Sequence, residues 1–365
     1  MPKRNPTTGT FELTIRCNLH CKMCLFRRDD CKNAELKKNE LTASQWMDMA
    51  RQAADAGTFS ILITGGEPML RPDFCEIWKG IYRYGFVLTL YTNATLVTPE
   101  VMETLKKYPP HKIGVTIYGA SPETYEKVCG NANAFQKAMD GIHELSALPS
   151  KMEYRMTVIQ DNMADSKAVT ELVQREFGEK AFLMQDITVM HAVRGGCADV
   201  DSCRLTPEME AKRSYDHIMD VMRKVVGSSF DPQKVRLDPQ LEKKRFETNC
   251  KKTVIYSIFG CNAGMSQYTV TYDGKLTGCQ LLDLFYTDPI EMGFREAWNH
   301  FPYVVKLPPV SEKCRNCDVV AECQSCYATR YAETGSLNGC SDYLYRDAYI
   351  RSKFKEKLRR NKSYE

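Results

Sequence analysis

The chain has 365 residues, 43% hydrophobic and 26% charged, with 50 Lys and Arg against 46 Asp and Glu for a net charge of +4. That composition fits a folded protein of about two domains and argues against a disordered chain. So small a charge excess argues against nucleic acid or an anionic membrane as the main partner. The N-terminal MPKRNPTTGT has no apolar core, and no apolar run reaches the roughly eighteen residues of a membrane span, so the chain is read as cytoplasmic.

In chain order, short β-branched runs alternate with stretches at helical spacing. Expected strands are Phe11 to Ile15, Ser60 to Ile63, Phe86 to Tyr91, Ile113 to Ile117, Tyr154 to Ile159 and Ile187 to Met190. The first expected helix opens at Thr42, has Gln45 at the capping-box position, sets Trp46, Met49, Ala50 and Ala53 on one side and stops at Gly57. The next begins at Pro72 and buries Phe74, Ile77, Trp78 and Ile81, and a third begins at Thr98-Pro99. Six β-then-α units imply parallel strands with right-handed crossovers, hence an α/β fold, a partial (β/α)6 barrel like that of triosephosphate isomerase. Functional residues are then expected at the C-terminal ends of the strands.

Expected domains are the barrel over 7–205, a helical connector over 206–249, a cysteine-rich α+β domain over 250–345 and a basic helical tail over 346–365. Within the third, YTVTYDGKLTGCQ (Tyr268 to Gln280) reads as a hairpin turning at Asp273-Gly274.

Sixteen cysteines in a reducing compartment point to metal rather than to disulfides. Three of them, in CNLHCKMC, follow the first strand as Cys17-x3-Cys21-x2-Cys24. Thiolates are the ordinary ligands of iron–sulfur clusters. A cubane has four irons, so three thiolates leave one iron open for a ligand, the logic that separates catalytic from structural zinc. After the second strand comes ITGGEP, whose glycines permit close backbone approach, and after the third comes YTNATL.

Together FELTIRCNLHCKMC, ITGGEP and YTNATL resemble the radical S-adenosylmethionine (SAM) superfamily. The resemblance implies a [4Fe-4S] cluster with an open iron on Cys17, Cys21 and Cys24 that chelates SAM. It further implies SAM contacts from Gly65, Gly66, Glu67 and Pro68, from Thr92 and Asn93, and from Thr116 on strand four. In VTIYGASPETYEKV, Thr116 and Tyr118 stand where such relatives carry Ser and Asp, and Met23 stands where an aromatic usually precedes the third cysteine.

Later, Cys261 and Cys279 precede Cys314-x2-Cys317-x5-Cys323-x2-Cys326 and Cys340. A zinc ribbon spaces its two pairs by about fifteen to twenty residues, and five is short. The layout is similar to the SPASM module of peptide- and protein-modifying radical SAM enzymes, which implies two auxiliary [4Fe-4S] clusters. Cys314, Cys317, Cys323 and Cys340 would hold one, and Cys261, Cys279 and Cys326 the other, with Cys250 as a candidate fourth ligand. Cys31, Cys75, Cys129, Cys197 and Cys203 read as structural thiols.

The resemblance implies reductive SAM cleavage to a 5′-deoxyadenosyl radical that modifies a peptide or protein by cross-linking, epimerisation or oxidation. It also implies flavodoxin or ferredoxin as electron donor and, with only sixteen residues before Cys17, leader recognition by a separate leader-peptide-binding partner or by another surface. Sulfatase maturation is an alternative, although Gln280 stands where those enzymes carry Asp after the second SPASM cysteine; modification of a tetrapyrrole or other cofactor precursor is another. An iron–sulfur sensor or scaffold is the alternative outside enzymes. No residue declares itself the catalytic base: His20, Arg194 and Asp283 lie near the relevant segments without a distinguishing pattern.

Overall fold

The structure is a computed structural model that describes residues 4–185, 189–227, 231 and 258–360. Its residues divide into two compact units, 1–204 with 262–306 and 205–261 with 307–365.

The first unit is built on one sheet that has nine strands among the described residues, in the order β6-β5-β4-β3-β2-β1-β7-β8-β9. β1 (Thr8–Glu12), β2 (Ser60–Thr64), β3 (Val87–Thr92), β4 (Lys112–Thr116), β5 (Lys151–Arg155) and β6 (Leu183–Met184) pair in parallel, the open barrel expected from the alternation. Between them lie α1 (Asn33–Lys38), α2 (Ala43–Asp55), α3 (Phe74–Tyr82), α4 (Pro99–Lys107), α5 (Pro122–Cys129), α6 (Ala134–Ser146) and α7 (Ser166–Phe177).

Local sequence dictates these elements. Thr42 and Gln45 form the expected reciprocal cap, and α2 buries Trp46, Met49, Ala50 and Ala53. Trp46 meets Phe11 of β1 with ring centroids 5.1 Å apart, and full burial of such a side chain is worth about 1.5–3 kcal/mol. α3 buries Phe74, Ile77, Trp78 and Ile81, and α4 starts at Pro99 behind its Thr98 cap.

Three strands differ from the sequence expectation. β1 begins three residues before Phe11 and ends at Glu12, because Thr8–Glu12 is hydrogen-bonded to a strand on each side. Its Gly9 hid it from propensity, yet a Cβ there would meet the Tyr268 ring at 2.6 Å. β5 also begins three residues before Tyr154, its alternate charged residues having masked it. β6 pairs β5 at Leu183–Met184, ahead of the expected Ile187–Met190. Ile187 lies outside the described residues, and Val189 and Met190 are not in a strand.

The hairpin turns at Asp273-Gly274 as expected, with β7 (Gln267–Val270) and β8 (Leu276–Cys279) antiparallel. β7 also pairs with β1 in parallel, so hairpin and barrel share one sheet. β9 (Leu282–Thr287), α9 (Pro289–Met292) and α10 (Phe294–Val304) complete this unit. The second unit holds α8 (Pro207–Val226), α11 (Glu312–Arg315), α12 (Tyr327–Thr334) and α13 (Asp342–Arg360). Among the described residues no helix is long and apolar enough to cross a membrane.

Candidate active site

Strand register selects the residues that face the site. Thr64↔Glu12, Gly114↔Tyr91 and Thr116↔Arg155 are paired positions, so Glu12, Thr64, Tyr91, Thr116 and Arg155 share the sheet face opposite the helix-covered Ile61, Leu90 and Val115. Thr64, Tyr91, Thr116 and Arg155 line one cavity of about 300 Å³, together with Cys17, Cys21, Cys24, Gly65, Gly66, Thr92 and Asn93. Residues from five successive strand ends and their loops therefore converge.

The cysteine loop is anchored on both sides. At its base Arg16 forks onto Glu40 at 2.8 and 3.0 Å, and Thr14 also bonds Glu40. The Arg71 guanidinium donates to the Leu13 and Leu41 carbonyls at 2.8 and 2.9 Å. Farther along, His20 N donates to Cys129 O at 3.1 Å and Lys22 N to Val128 O at 2.9 Å, tying the residues either side of Cys21 to the end of α5.

The GGEP loop lies directly against this one. Gly66 N donates to Thr14 O at 2.8 Å and Glu67 N to Arg16 O at 2.9 Å. A Cβ on Gly65 would stand 2.1 Å from Thr14 O, and one on Gly66 would stand 2.2 Å from Arg16 O. Both glycines are thus required by backbone packed on backbone. Gly65 also has a positive φ of 153°.

Glu67 and Pro68 are buried but are not among the cavity-lining residues. The Glu67 carboxylate instead accepts from Asn93 N at 2.7 Å, Thr92 Oγ1 at 2.9 Å and Met69 N at 3.1 Å, strapping the β2 loop to the β3 loop. Burial pushes its carboxyl up to about 7 against these three donors. Asn93 turns its amide to Asn18 at 3.0 Å and to the Cys17 sulfur at 3.7 Å, so this side chain serves the cysteine loop.

Cys17, Cys21 and Cys24 all line the cavity, and among the described residues no three His, Cys, Asp or Glu side chains converge on one metal position. Burial pushes the Cys17 thiol upward and the Cys24 thiol up to about 11, and the Cys129 thiol and burial do the same for Cys21. Thiolates buried here would need a cationic partner.

Some site residues escaped the sequence. Arg155 lies over the Tyr91 ring at 4.5 Å, and Tyr91 Oη donates to Glu153 at 3.0 Å, as does Lys112 at 2.8 Å. The alternation Lys151, Glu153, Arg155 was the available signal, because a strand of a parallel sheet is ordinarily apolar on both faces. Arg194 pairs with the buried Glu12 at 2.8 Å, and Gln280 Nε2 donates to the same carboxylate oxygen at 3.0 Å. His20 bonds Asp30 at 2.9 Å, while Asp283 sits in β9.

Residues 11–173 match the radical SAM superfamily. These residues form a radical SAM domain. The chain is also 29% identical over 356 residues to an AdoMet-dependent heme synthase of Methanosarcina barkeri, covering 94% of this chain and 96% of that one. Streptococcus suis SuiB bound to precursor peptide SuiA superposes with a TM-score of 0.66 at 16% identity, over 93% of this chain and 76% of that one. Native anSMEcpe with bound AdoMet and Kp18Cys peptide gives a TM-score of 0.65 at 16% identity, over 97% of this chain and 98% of that one.

The remaining cysteines lie elsewhere. In the second unit, burial raises the Cys340 thiol and so do the neighbouring Cys314, Cys323 and Cys317, which places those four in electrostatic reach of one another. Cys326 is exposed, and its sulfur accepts from Thr329 Oγ1 at 3.7 Å. Cys279 ends β8 in the first unit, whereas Cys261 and Cys326 belong to the second, and Cys250 lies outside the described residues.

Proposed function

We propose that this chain reductively cleaves SAM at a [4Fe-4S] cluster held by Cys17, Cys21 and Cys24 and uses the product radical to modify a peptide or protein. The observation that carries the reading is one cavity lined by those three thiols, the GG turn and Thr92-Asn93. When bound, the cluster supplies an electron to the SAM sulfonium, which yields methionine and a 5′-deoxyadenosyl radical able to take hydrogen from substrate.

The residues present divide the remaining work. Gly65 and Gly66 line the cavity and are assigned to the SAM ammonium. Glu67 acts behind them as a positioning residue through its three hydrogen bonds. The Arg155 guanidinium, on the β5 wall, suits a carboxylate, and Thr116 beside it offers a hydroxyl. Tyr91, Met23 and Leu19 supply apolar surface that limits water around the reacting atoms.

By the same reading residues 250–345 form a SPASM module. Cys314, Cys317, Cys323 and Cys340 hold one auxiliary [4Fe-4S] cluster, supported by the influence of the other three on the Cys340 thiol. The reading takes a cytoplasmic setting with flavodoxin or ferredoxin as electron donor. The peptide substrate finds support in the peptides carried by the SuiB and anSMEcpe structures. A second reading, modification of an iron porphyrin precursor, is favoured by the heme synthase match along almost the whole chain.

The test is anaerobic reconstitution with iron, sulfide, SAM and reductant. The reading expects about twelve irons per chain, four for each cubane, and release of 5′-deoxyadenosine. Mass spectrometry then separates substrates: a changed mass for a candidate peptide supports the first reading, and a changed porphyrin precursor supports the second. Absence of 5′-deoxyadenosine with all irons bound favours a sensor or scaffold.

A further inference from the structure

Two arginines of the loop after Cys24 line the cavity without an acid to pair with. Arg27 and Arg28 are half-buried, and among the described residues neither has a carboxylate within salt-bridge distance. The Arg27 Nε is buried and has no hydrogen-bond partner. Arg28 donates to two carbonyls instead, that of Phe26 at 3.4 Å and that of Arg194. Arg194 keeps its own guanidinium on the Glu12 carboxylate, so it offers Arg28 a carbonyl and no counter-charge. Asp30 is the one acid in the cavity lining, and it is engaged by His20 at 2.9 Å and by Asn33 at 3.2 Å. With Arg155, the lining sets three guanidinium groups against a single carboxylate.

The loop that carries this pair is braced through its backbone. Val193 N donates to Leu25 O at 3.1 Å and Cys197 N to Arg27 O at 2.9 Å. A Cβ on Gly196 would stand 2.4 Å from Leu25 O, so glycine is needed for that approach. Arg194 between them holds a left-handed φ of 55°, uncommon for a residue with a side chain. A cation taken partly out of water without a partner is costly, and bracing it in place makes sense where a ligand completes the pair.

We propose that Arg27 and Arg28 bind a carboxylate of the substrate, which makes the molecule modified at this cavity an acid. This rests on the reading of the cavity as the site of SAM cleavage. In that reading Arg155 on β5 serves the SAM carboxylate, which leaves the loop pair for the second reactant. Guanidinium groups meet carboxylates in charge-assisted, often forked pairs, so each arginine can supply direction as well as charge. An uncharged substrate would leave both cations buried beside it and unpaired. The same chemistry comes from two sources, an acidic side chain of a peptide or a carboxylate arm of an iron porphyrin precursor.

The experiment measures binding of two matched pairs to the reconstituted full chain loaded with SAM. One pair is a blocked peptide with a single Glu and its Gln counterpart; the other is an iron porphyrin with four carboxylate arms and its tetra-amide. In one of the pairs the acid should bind wild-type protein at least tenfold more tightly than the amide, and the pair that does so names the source. Arg27→Gln and Arg28→Gln should each lower that preference about tenfold while iron content and SAM affinity stay unchanged, and Arg27→Lys should keep part of it. No preference in either pair overturns the proposal, as does a preference that survives both substitutions. Weaker SAM binding in Arg27→Gln also overturns it, by making this arginine a SAM contact, and loss of about four irons there overturns it by making the arginine a support of the cluster. Should Arg28→Gln lose iron through its contact with Arg194, Arg27→Gln decides, because its Nε has no partner to lose. A wild-type protein that prefers the acid yet releases no 5′-deoxyadenosine on reduction overturns the radical reading alone. One that releases it and shows no preference overturns this inference alone.

Discussion

The cysteine loop after β1 and the cysteine run of the second unit are both thiol-rich, yet they are ordered by different means. Around Cys17 to Cys24 the chain is pinned by buried arginines, by α5 and by a neighbouring loop, with Phe11, Leu13 and Ile63 fully buried beneath it. Across residues 307–340 only Val319 and Ala328 are buried, and the helices are α11 of four residues and α12 of eight. So small a core cannot offset the conformational entropy of ordering this segment. The difference teaches that the first site is organised by the sheet itself, while on the proposed reading the second would take its order from a bound metal.

Four perturbations sharpen that contrast. The largest effect is expected from Cys24→Ala, which should reduce 5′-deoxyadenosine formation to background while the barrel keeps its thermal unfolding midpoint. Next, removing iron with a chelator, or substituting Cys317→Ser, should open residues 307–340 to limited proteolysis and leave residues 4–185 resistant; equal cleavage of both would erase the distinction. Gly66→Ala, whose Cβ would press on Arg16 O at 2.2 Å, should cost about 1–3 kcal/mol in denaturant unfolding of the barrel. Arg155→Met should weaken SAM binding roughly ten- to a hundredfold by calorimetry, as for a lost hydrogen bond to a charged group, with iron content unchanged.

Glu67 gives the smallest effect. Its carboxyl titrates at about 7 in the folded chain, raised by burial from the ordinary 4.5. The folded state therefore holds this proton more tightly than the unfolded one. Glu67 contributes stability that is fully present below about pH 4.5 and is lost as pH rises toward 7. A Glu67→Gln chain lacks this loss, so its melting temperature relative to wild type should climb between pH 5 and 8, within the limits of a single group.

The sequence made the barrel legible where local signals were strong. β2, β3 and β4 alternate cleanly, and the caps at Thr42 and Thr98 are spelled out in the chain. β1 and β5 were displaced because Gly9, Lys151 and Glu153 look unlike strand residues; Gly9 makes room for Tyr268, and Glu153 anchors Tyr91 and Lys112. The pairing of β7 with β1 was out of reach, since nothing in a local hairpin states which distant strand it joins.

For the site, the resemblance to the radical SAM superfamily gathered Cys17, Cys21, Cys24, Gly65, Gly66, Thr92, Asn93 and Thr116, all of which line the cavity. It did not disclose that Glu67 points away into a strap of its own, or that Cys129 lies against Cys21 across more than a hundred residues of chain. Such facts depend on which loops touch, and they are written in three dimensions only.

The most direct test of the vacant-iron account is electron–nuclear double resonance on the reduced protein with isotopically labelled SAM. The account predicts coupling of the SAM amino nitrogen and carboxylate oxygen to the cluster of Cys17, Cys21 and Cys24. A protein that binds zinc there, or a cluster whose spectrum is unmoved by SAM, would contradict it.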